Sequence, residues 1–190
     1  MPGAAAEAIA IANEFGVSSD GDGSILIGSM ATEGRVRQSL PSARIIHLAT
    51  HGLLEYGDLQ ASAISDIPGA IALTPDTTHD GLLTAEELLK FDLTADLVVL
   101  SACDTGLGTL SGDGVIGLSR SLIAAGAPSV VVSLWAIPDN PTADLMIEFY
   151  SQLKQGQDKA SALRLAMLER MKYSDPSAWG AFTLIGEADW

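Results

Sequence analysis

The sequence predicts an α/β fold, an open and mostly parallel sheet with helices on both faces. Three observations carry this. The runs Ile45–Ala49, Leu97–Leu100 and Val130–Leu134 are continuously apolar rather than alternating, as expected of strands covered on both sides. Helical stretches separate them, giving repeated strand–helix units. Each run also stops abruptly at polar or reactive residues and a turn.

In chain order, residues 4 to 15 read as a helix that stops before Gly16. Ser18 to Gly23 is a turn, rich in glycine, serine and aspartate. Ile25–Ile27 reads as a short strand and Met30–Leu40 as a helix. Strand 44–50 follows. Residues 55–80 read as irregular, broken by Pro68, Gly69 and Pro75, around a weak strand at Ala70–Leu73. Thr84 and Glu87 have capping-box spacing and open a short helix to Lys90. Strand 96–102 leads into a glycine-rich loop from Gly106 to Gly114. A helix over Val115–Ala125 ends at Gly126 with Pro128 beyond, the usual form of a helix stop. Strand Ser129–Trp135 is next. Asn140 as cap and Pro141 in the first turn open another helix, with Leu145, Met146, Phe149 and Leu153 on one face. A helix over 158–171 and a strand over Ala181–Ile185 complete the chain.

The 190 residues suit one domain, residues 1–190, and 47% hydrophobic residues supply a substantial core. The net charge of −14 disfavours nucleic acid and anionic membranes as partners and suits basic ones. Solubility alone is the simpler account of that charge. A single cysteine makes no internal disulfide. The apolar start lacks a basic n-region and carries Glu7, unlike a signal peptide, and no apolar run reaches membrane-spanning length. A reducing cytoplasm is the expected compartment.

In open α/β sheets, sites form beyond the carboxyl ends of the strands. Three strand ends fall there. One delivers His51, followed by Gly52. One delivers Cys103, the only cysteine, after Ser101. The third delivers Trp135 and, beyond it, Asp139. A lone cysteine is commonly a small buried hydrophobe. At a strand end beside a histidine it becomes a candidate nucleophile, because a nearby imidazole lowers the thiol pKa from about 8.5. His51 has the alternative of being a structural histidine. His47 lies inside the strand and is expected to face packing, and His79 reads as a surface residue. Asp139 is either an ordinary helix cap or a specificity carboxylate for a cationic side chain. Trp135 is either core or pocket wall.

Gly112–Gly117 matches G-x-G-x-x-G at a helix start, the dinucleotide fingerprint. About nine residues separate it from its strand, where the fingerprint should follow at once, and Asp113 would set negative charge against phosphate. No metal-ligand spacing and no G-x-S-x-G elbow occur, and no cofactor is called for.

The motifs His-Leu-Ala-Thr-His-Gly (47–52), Leu-Val-Val-Leu-Ser-Ala-Cys-Asp-Thr-Gly-Leu-Gly (97–108) and Gly-Ala-Pro-Ser-Val-Val-Val-Ser-Leu-Trp-Ala-Ile-Pro-Asp (126–139) resemble the CHAT domain family. The similarity continues through Asp80–Thr84, Phe149–Leu153 and Trp179–Gly186, covering the chain from about residue 25. About 50 residues separate histidine from cysteine, near the caspase spacing. The resemblance implies a three-layer, caspase-hemoglobinase-like fold and cysteine peptidase chemistry. It puts the catalytic histidine on His51 and the nucleophile on Cys103. The backbone N–H groups of Gly52 and Cys103 become the expected oxyanion donors. Ser101, Trp135 and Asp139 border the substrate site. By analogy with separase-type peptidases, Asp139 would select a basic residue before the cleaved bond. The implied partners are a protein or peptide substrate and tetratricopeptide-repeat regions or an activating protein. Compared with such domains, sheet before the first motif is expected to be missing. A non-catalytic interaction module is the competing expectation.

Overall fold

A computed structural model describes residues 2–17, 24–53, 69–101, 112–135 and 139–190, with the side chains of residues 2, 112–115, 139 and 140 outside that description. The helices are α1 (Pro2–Glu14), α2 (Glu33–Ser39), α3 (Ala85–Leu88), α4 (Gly112–Ala124), α5 (Asp139–Lys154), α6 (Lys159–Arg170) and α7 (Pro176–Trp179). The strands are β1 (Ile45–Leu48), β2 (Gly52–Leu53), β3 (Ala70–Ala72), β4 (Leu82–Thr84), β5 (Leu97–Leu100), β6 (Ser129–Ser133) and β7 (Phe182–Gly186).

The main sheet has the order β1-β5-β6-β7. β1, β5 and β6 run parallel and β7 is antiparallel to β6. Every residue of β5 and β6 is buried, as their unbroken apolar runs predict. Alternation sends successive side chains to opposite faces. Val98, Leu100, Val130 and Val132 join Val36, Leu88, Leu118 and Leu122 on one face. Leu97, Val99 and Val131 join Ile11, Leu145, Phe149 and Leu163 on the other. Helices therefore cover both faces. The predicted apolar face of α5, Leu145, Met146, Phe149 and Leu153, is buried in the second cluster.

Local signals behave as their chemistry dictates. The Thr84 hydroxyl accepts from Glu87 N–H while the Glu87 carboxylate accepts from Thr84 N–H, a complete capping box. Gly126 ends α4 with φ +116°, and a Cβ there would stand 2.5 Å from the Leu93 carbonyl oxygen. Its N–H donates to Ile123 O and Ala127 N–H to Leu122 O, the paired bonds of a Schellman stop.

Four expectations are corrected. Ile25–Ile27 is not a strand. Ile27 is extended, with φ −130° and ψ 142°, but none of the three pairs with a strand among the described residues. The helix expected over Met30–Leu40 starts only at Glu33, because the Thr32 hydroxyl caps it by accepting from Arg35 N–H. α4 begins at Gly112 rather than Val115, and α5 at Asp139, which places Asn140 inside the helix rather than at its cap.

The weak strand at 70–73 belongs to a second sheet, the antiparallel β2-β3-β4. Its strands are two or three residues long, too short to show a period. Glu33, 2% exposed, holds this sheet to α2. Its carboxylate accepts from Gly81 N–H at 3.0 Å and from Arg37 at 3.1 Å, and Arg37 also bonds Glu87 at 2.9 Å.

Candidate active site

The register of the main sheet aligns three strand ends. Leu48 pairs with Leu100, and Leu100 with Val132. Adjacent strands lie about 4.8 Å apart. His51, Cys103 and Trp135 are each the third residue after one member of this aligned triple. Cys103 lies outside the described residues, as do the side chain of Asp139 and residues 136–138.

His51 sits where the chain leaves one sheet for the other. Its carbonyl accepts from Ala72 N–H at 2.9 Å, and the Thr50 hydroxyl donates to Ala72 O at 2.5 Å. Gly52 then pairs with Ile71 in the small sheet. The backbone around His51 is thus clamped to β3 on one side and continuous with β1 on the other. His51 itself is half-buried. Gly52 continues the chain as β2.

Ser101 directly follows β5 and is 5% exposed. Its hydroxyl oxygen has no hydrogen-bond partner among the described residues. A buried unsatisfied hydroxyl costs about 1–3 kcal/mol. Trp135 is half-buried and packs against the second core cluster. Its indole N–H donates to Ser177 O at 2.7 Å, tying the end of β6 to α7. The ring is thus held in place against the core.

The other two histidines are occupied elsewhere. His47 has a side chain only 9% exposed. Its Nε2 lies 2.9 Å from Glu7 Oε1 and its Nδ1 3.1 Å from Tyr150 Oη. With a neutral imidazole, Nε2–H donates to the carboxylate and Nδ1 accepts from the phenol. Burial first, and then the Glu7 charge, push the Tyr150 pKa far up, so the phenol keeps its proton. This network joins α1, β1 and α5. Sequence reasoning anticipated the packing of His47 but not its partners. The available signal was one carboxylate, Glu7, inside the otherwise apolar stretch of α1. His79 is bound to Asp76, whose carboxylate also accepts from Thr78, His79 and Gly34 N–H groups. The backbone bond from Thr78, followed by the His79 side chain, holds the Asp76 carboxyl well below the usual carboxylate range.

The glycines of the G-x-G-x-x-G match lie within α4 itself, from its first residue onward. The fingerprint needs them in the turn before the helix, where backbone approaches pyrophosphate. The arrangement here is not that turn. Among the described residues no group of three or more His, Cys, Asp or Glu side chains is placed to hold a metal ion, and no helix is long and apolar enough to cross a membrane.

The chain is 32% identical over 215 residues to tetratricopeptide repeat protein 28 of Mus musculus, and 32% identical over 216 residues to the protein of that name from Homo sapiens. Each alignment covers 98% of this chain and 8% of the relative, so the chain spans a small part of those proteins. The CHAT domain family model matches residues 1–187, which extends the resemblance through α1, and the chain belongs to the CHAT domain family.

Proposed function

We propose that this domain is a caspase-like cysteine endopeptidase with a His51–Cys103 dyad. The observation that supports it most is the aligned register, which sets His51 and Cys103 the same number of residues beyond neighbouring, paired strand positions. In this reading His51 takes the proton of the Cys103 thiol and the resulting thiolate attacks the scissile carbonyl carbon. The N–H groups of Gly52 and Cys103 receive the developing oxyanion. His51 gives a proton to the leaving amine, then takes one from the water that hydrolyses the thioester. Ser101, whose buried hydroxyl has no partner among the described residues, and Trp135 border the substrate. Asp139, at the start of α5, selects arginine or lysine before the cleaved bond, and the net charge of −14 favours approach of such substrates.

The test is cleavage of a peptide library with lysine or arginine at the cleaved position, comparing the wild type with Cys103→Ala. Cleavage by the wild type alone is expected. Equal cleavage by both proteins would overturn the dyad.

A second reading, a non-catalytic interaction module, is favoured by the relatives, both named as tetratricopeptide repeat proteins. In it the fold serves repeat regions or a partner protein. The rate at which Cys103 reacts with iodoacetamide at neutral pH separates the two. An activated thiol reacts faster than a cysteine in a model peptide, whereas a matching rate supports the interaction module.

A further inference from the structure

Residues Ala49–His51 lie between two strands and belong to neither. β1 ends at Leu48 and β2 begins at Gly52, and the backbone bends at Thr50. Among the described residues no ladder of their own fixes these three. They are tied instead to one residue of β3. Ala72 N–H donates to His51 O at 2.9 Å, and Ala72 O accepts from the Thr50 hydroxyl at 2.5 Å. The first bond is backbone to backbone and any residue at 51 would make it. The second needs a hydroxyl at 50.

The acceptor is itself held from behind. Ala72 O and Leu73 N–H belong to one peptide group. Leu73 N–H donates to Gly81 O at 2.7 Å, and Gly81 N–H donates to the Glu33 carboxylate at 3.0 Å. Glu33 is 2% exposed and takes a further bond from Arg37. Gly81 has φ +88°, and a Cβ there would stand 2.7 Å from the Leu73 carbonyl oxygen, so this close approach requires glycine. A line of hydrogen bonds thus runs from the Thr50 hydroxyl to a buried carboxylate, and bonds in such a line strengthen one another. The carbonyl that receives Thr50 is a fixed reference for the loop rather than a follower of it.

The residue type fits the task. Two heavy atoms on the threonine Cβ restrict χ1, so a hydroxyl bonded to a fixed carbonyl also restrains the backbone that bears it. The Cα of His51 is the next one along the chain, about 3.8 Å away.

We propose that Thr50 is a positioning residue: its bond to Ala72 O sets the backbone from which the His51 imidazole reaches Cys103. The inference rests on the peptidase reading of His51 and Cys103 and adds a residue to it. Thr50 acts through His51 and does not touch substrate. Misplacing a catalytic group by about 1 Å costs on the order of a hundredfold in rate, so losing this bond acts on the chemical step rather than on substrate affinity.

The experiment compares Thr50→Val, which keeps the branched shape and removes the hydroxyl, with Thr50→Ser, which keeps the hydroxyl. Wild type and His51→Ala are measured beside them. One readout is cleavage of a peptide with arginine at the cleaved position. The other is the pH dependence of Cys103 alkylation by iodoacetamide, which follows the thiol pKa without any substrate. Thr50→Val is expected to lower kcat by about tenfold or more at little change in KM. It should also move the alkylation profile from the wild-type position toward that of His51→Ala, at an unchanged circular dichroism spectrum. Thr50→Ser should restore both readouts, and Thr50→Ala takes the place of the valine variant if that protein does not fold. A hydroxyl-free variant with wild-type kcat and a wild-type alkylation profile overturns the proposal and leaves the dyad standing. So does a loss that Thr50→Ser shares in full. An alkylation profile that His51→Ala leaves unchanged overturns the dyad itself, and the positioning role with it.

Discussion

His47 and His51 stand four residues apart on one segment and have opposite surroundings. His47 is enclosed by α1 and α5 with both ring nitrogens engaged by Glu7 and Tyr150. His51 lies past the end of β1, half-buried, where the backbone passes to the small sheet. A histidine within an apolar strand is captured by the layers covering that strand. One beyond the strand end has its backbone clamped to the small sheet. If the peptidase reading holds, the difference separates stability from chemistry, and each half can be tested.

The largest expected effect is on chemistry. If the peptidase reading holds, His51→Ala lowers cleavage of a basic-site peptide by about a thousandfold, within the range for losing a positioned general acid–base. Its denaturation midpoint should stay close to the wild type. Rates and urea unfolding on the same preparation check both halves. A large loss of stability with activity retained per folded molecule would erase the contrast between the two histidines.

Next is the buried network. His47→Ala leaves the Glu7 carboxylate, 4% exposed at its side chain, without its imidazole partner. Removing one member of a buried polar pair costs about 3 kcal/mol, read as a shift in urea midpoint. Glu7→Gln keeps a hydrogen-bonding group and should cost less than Glu7→Ala. A His47→Ala protein as stable as the wild type would mean that the network does not hold α1.

These two histidines also show what the sequence made legible. Strand alternation and the strand end sufficed to tell them apart. The interior strands were readable because burial on both faces forces an unbroken apolar run, as in Val130–Val132. Capping at Thr84 and the stop at Gly126 were readable because each depends on residues within one turn. Glu7, Glu33 and Tyr150 were not, because their partners lie 40 or more residues away and only the fold joins them. Of the small sheet only β3 was legible, as a weak strand, since strands of two or three residues have no period. Ile25–Ile27 misled because its composition suits a strand while pairing depends on a neighbour. Of the candidate site, the alignment of strand ends could be anticipated from parallel strands, whereas the clamp from Thr50 and His51 onto Ala72 could not.

A smaller effect sharpens how the clamp beside His51 is held. β4 pairs with β3, which bonds the backbone at His51, and β4 runs directly into α3 through the Thr84 capping box. Thr84→Ala removes the hydroxyl acceptor for Glu87 N–H and should cost about 1 kcal/mol. If the small sheet sets the position of His51, the same change lowers the cleavage rate with little effect on the substrate concentration for half-maximal rate. Thr84→Ser, which keeps the hydroxyl, should restore both. A stability loss with an unaltered rate would make the capping box a local feature of α3.

The smallest effect is in pH. Desolvation alone would raise the Glu87 pKa, but its hydrogen bonds from Thr84 and Arg37 outweigh that and leave it lowered. Asp76 is lowered too, first by the Thr78 backbone bond and then by His79. A carboxyl with a lower pKa folded than unfolded contributes stability that is complete above its unfolded value. That contribution is lost as pH falls through the folded value. Both groups act in the same direction, so urea midpoints should be flat near neutrality and fall below about pH 4.5, the ordinary range for carboxylates. Glu87→Gln should make the acid limb shallower, because it removes the titrating carboxyl while the amide oxygen can still accept from Thr84 N–H. His47 and Glu7 lie apart from both groups, so His47→Ala should lower the whole curve without removing this acid limb. If the acid limb disappears in His47→Ala and persists in Glu87→Gln, the acid sensitivity belongs to the buried network rather than to the supports of the small sheet.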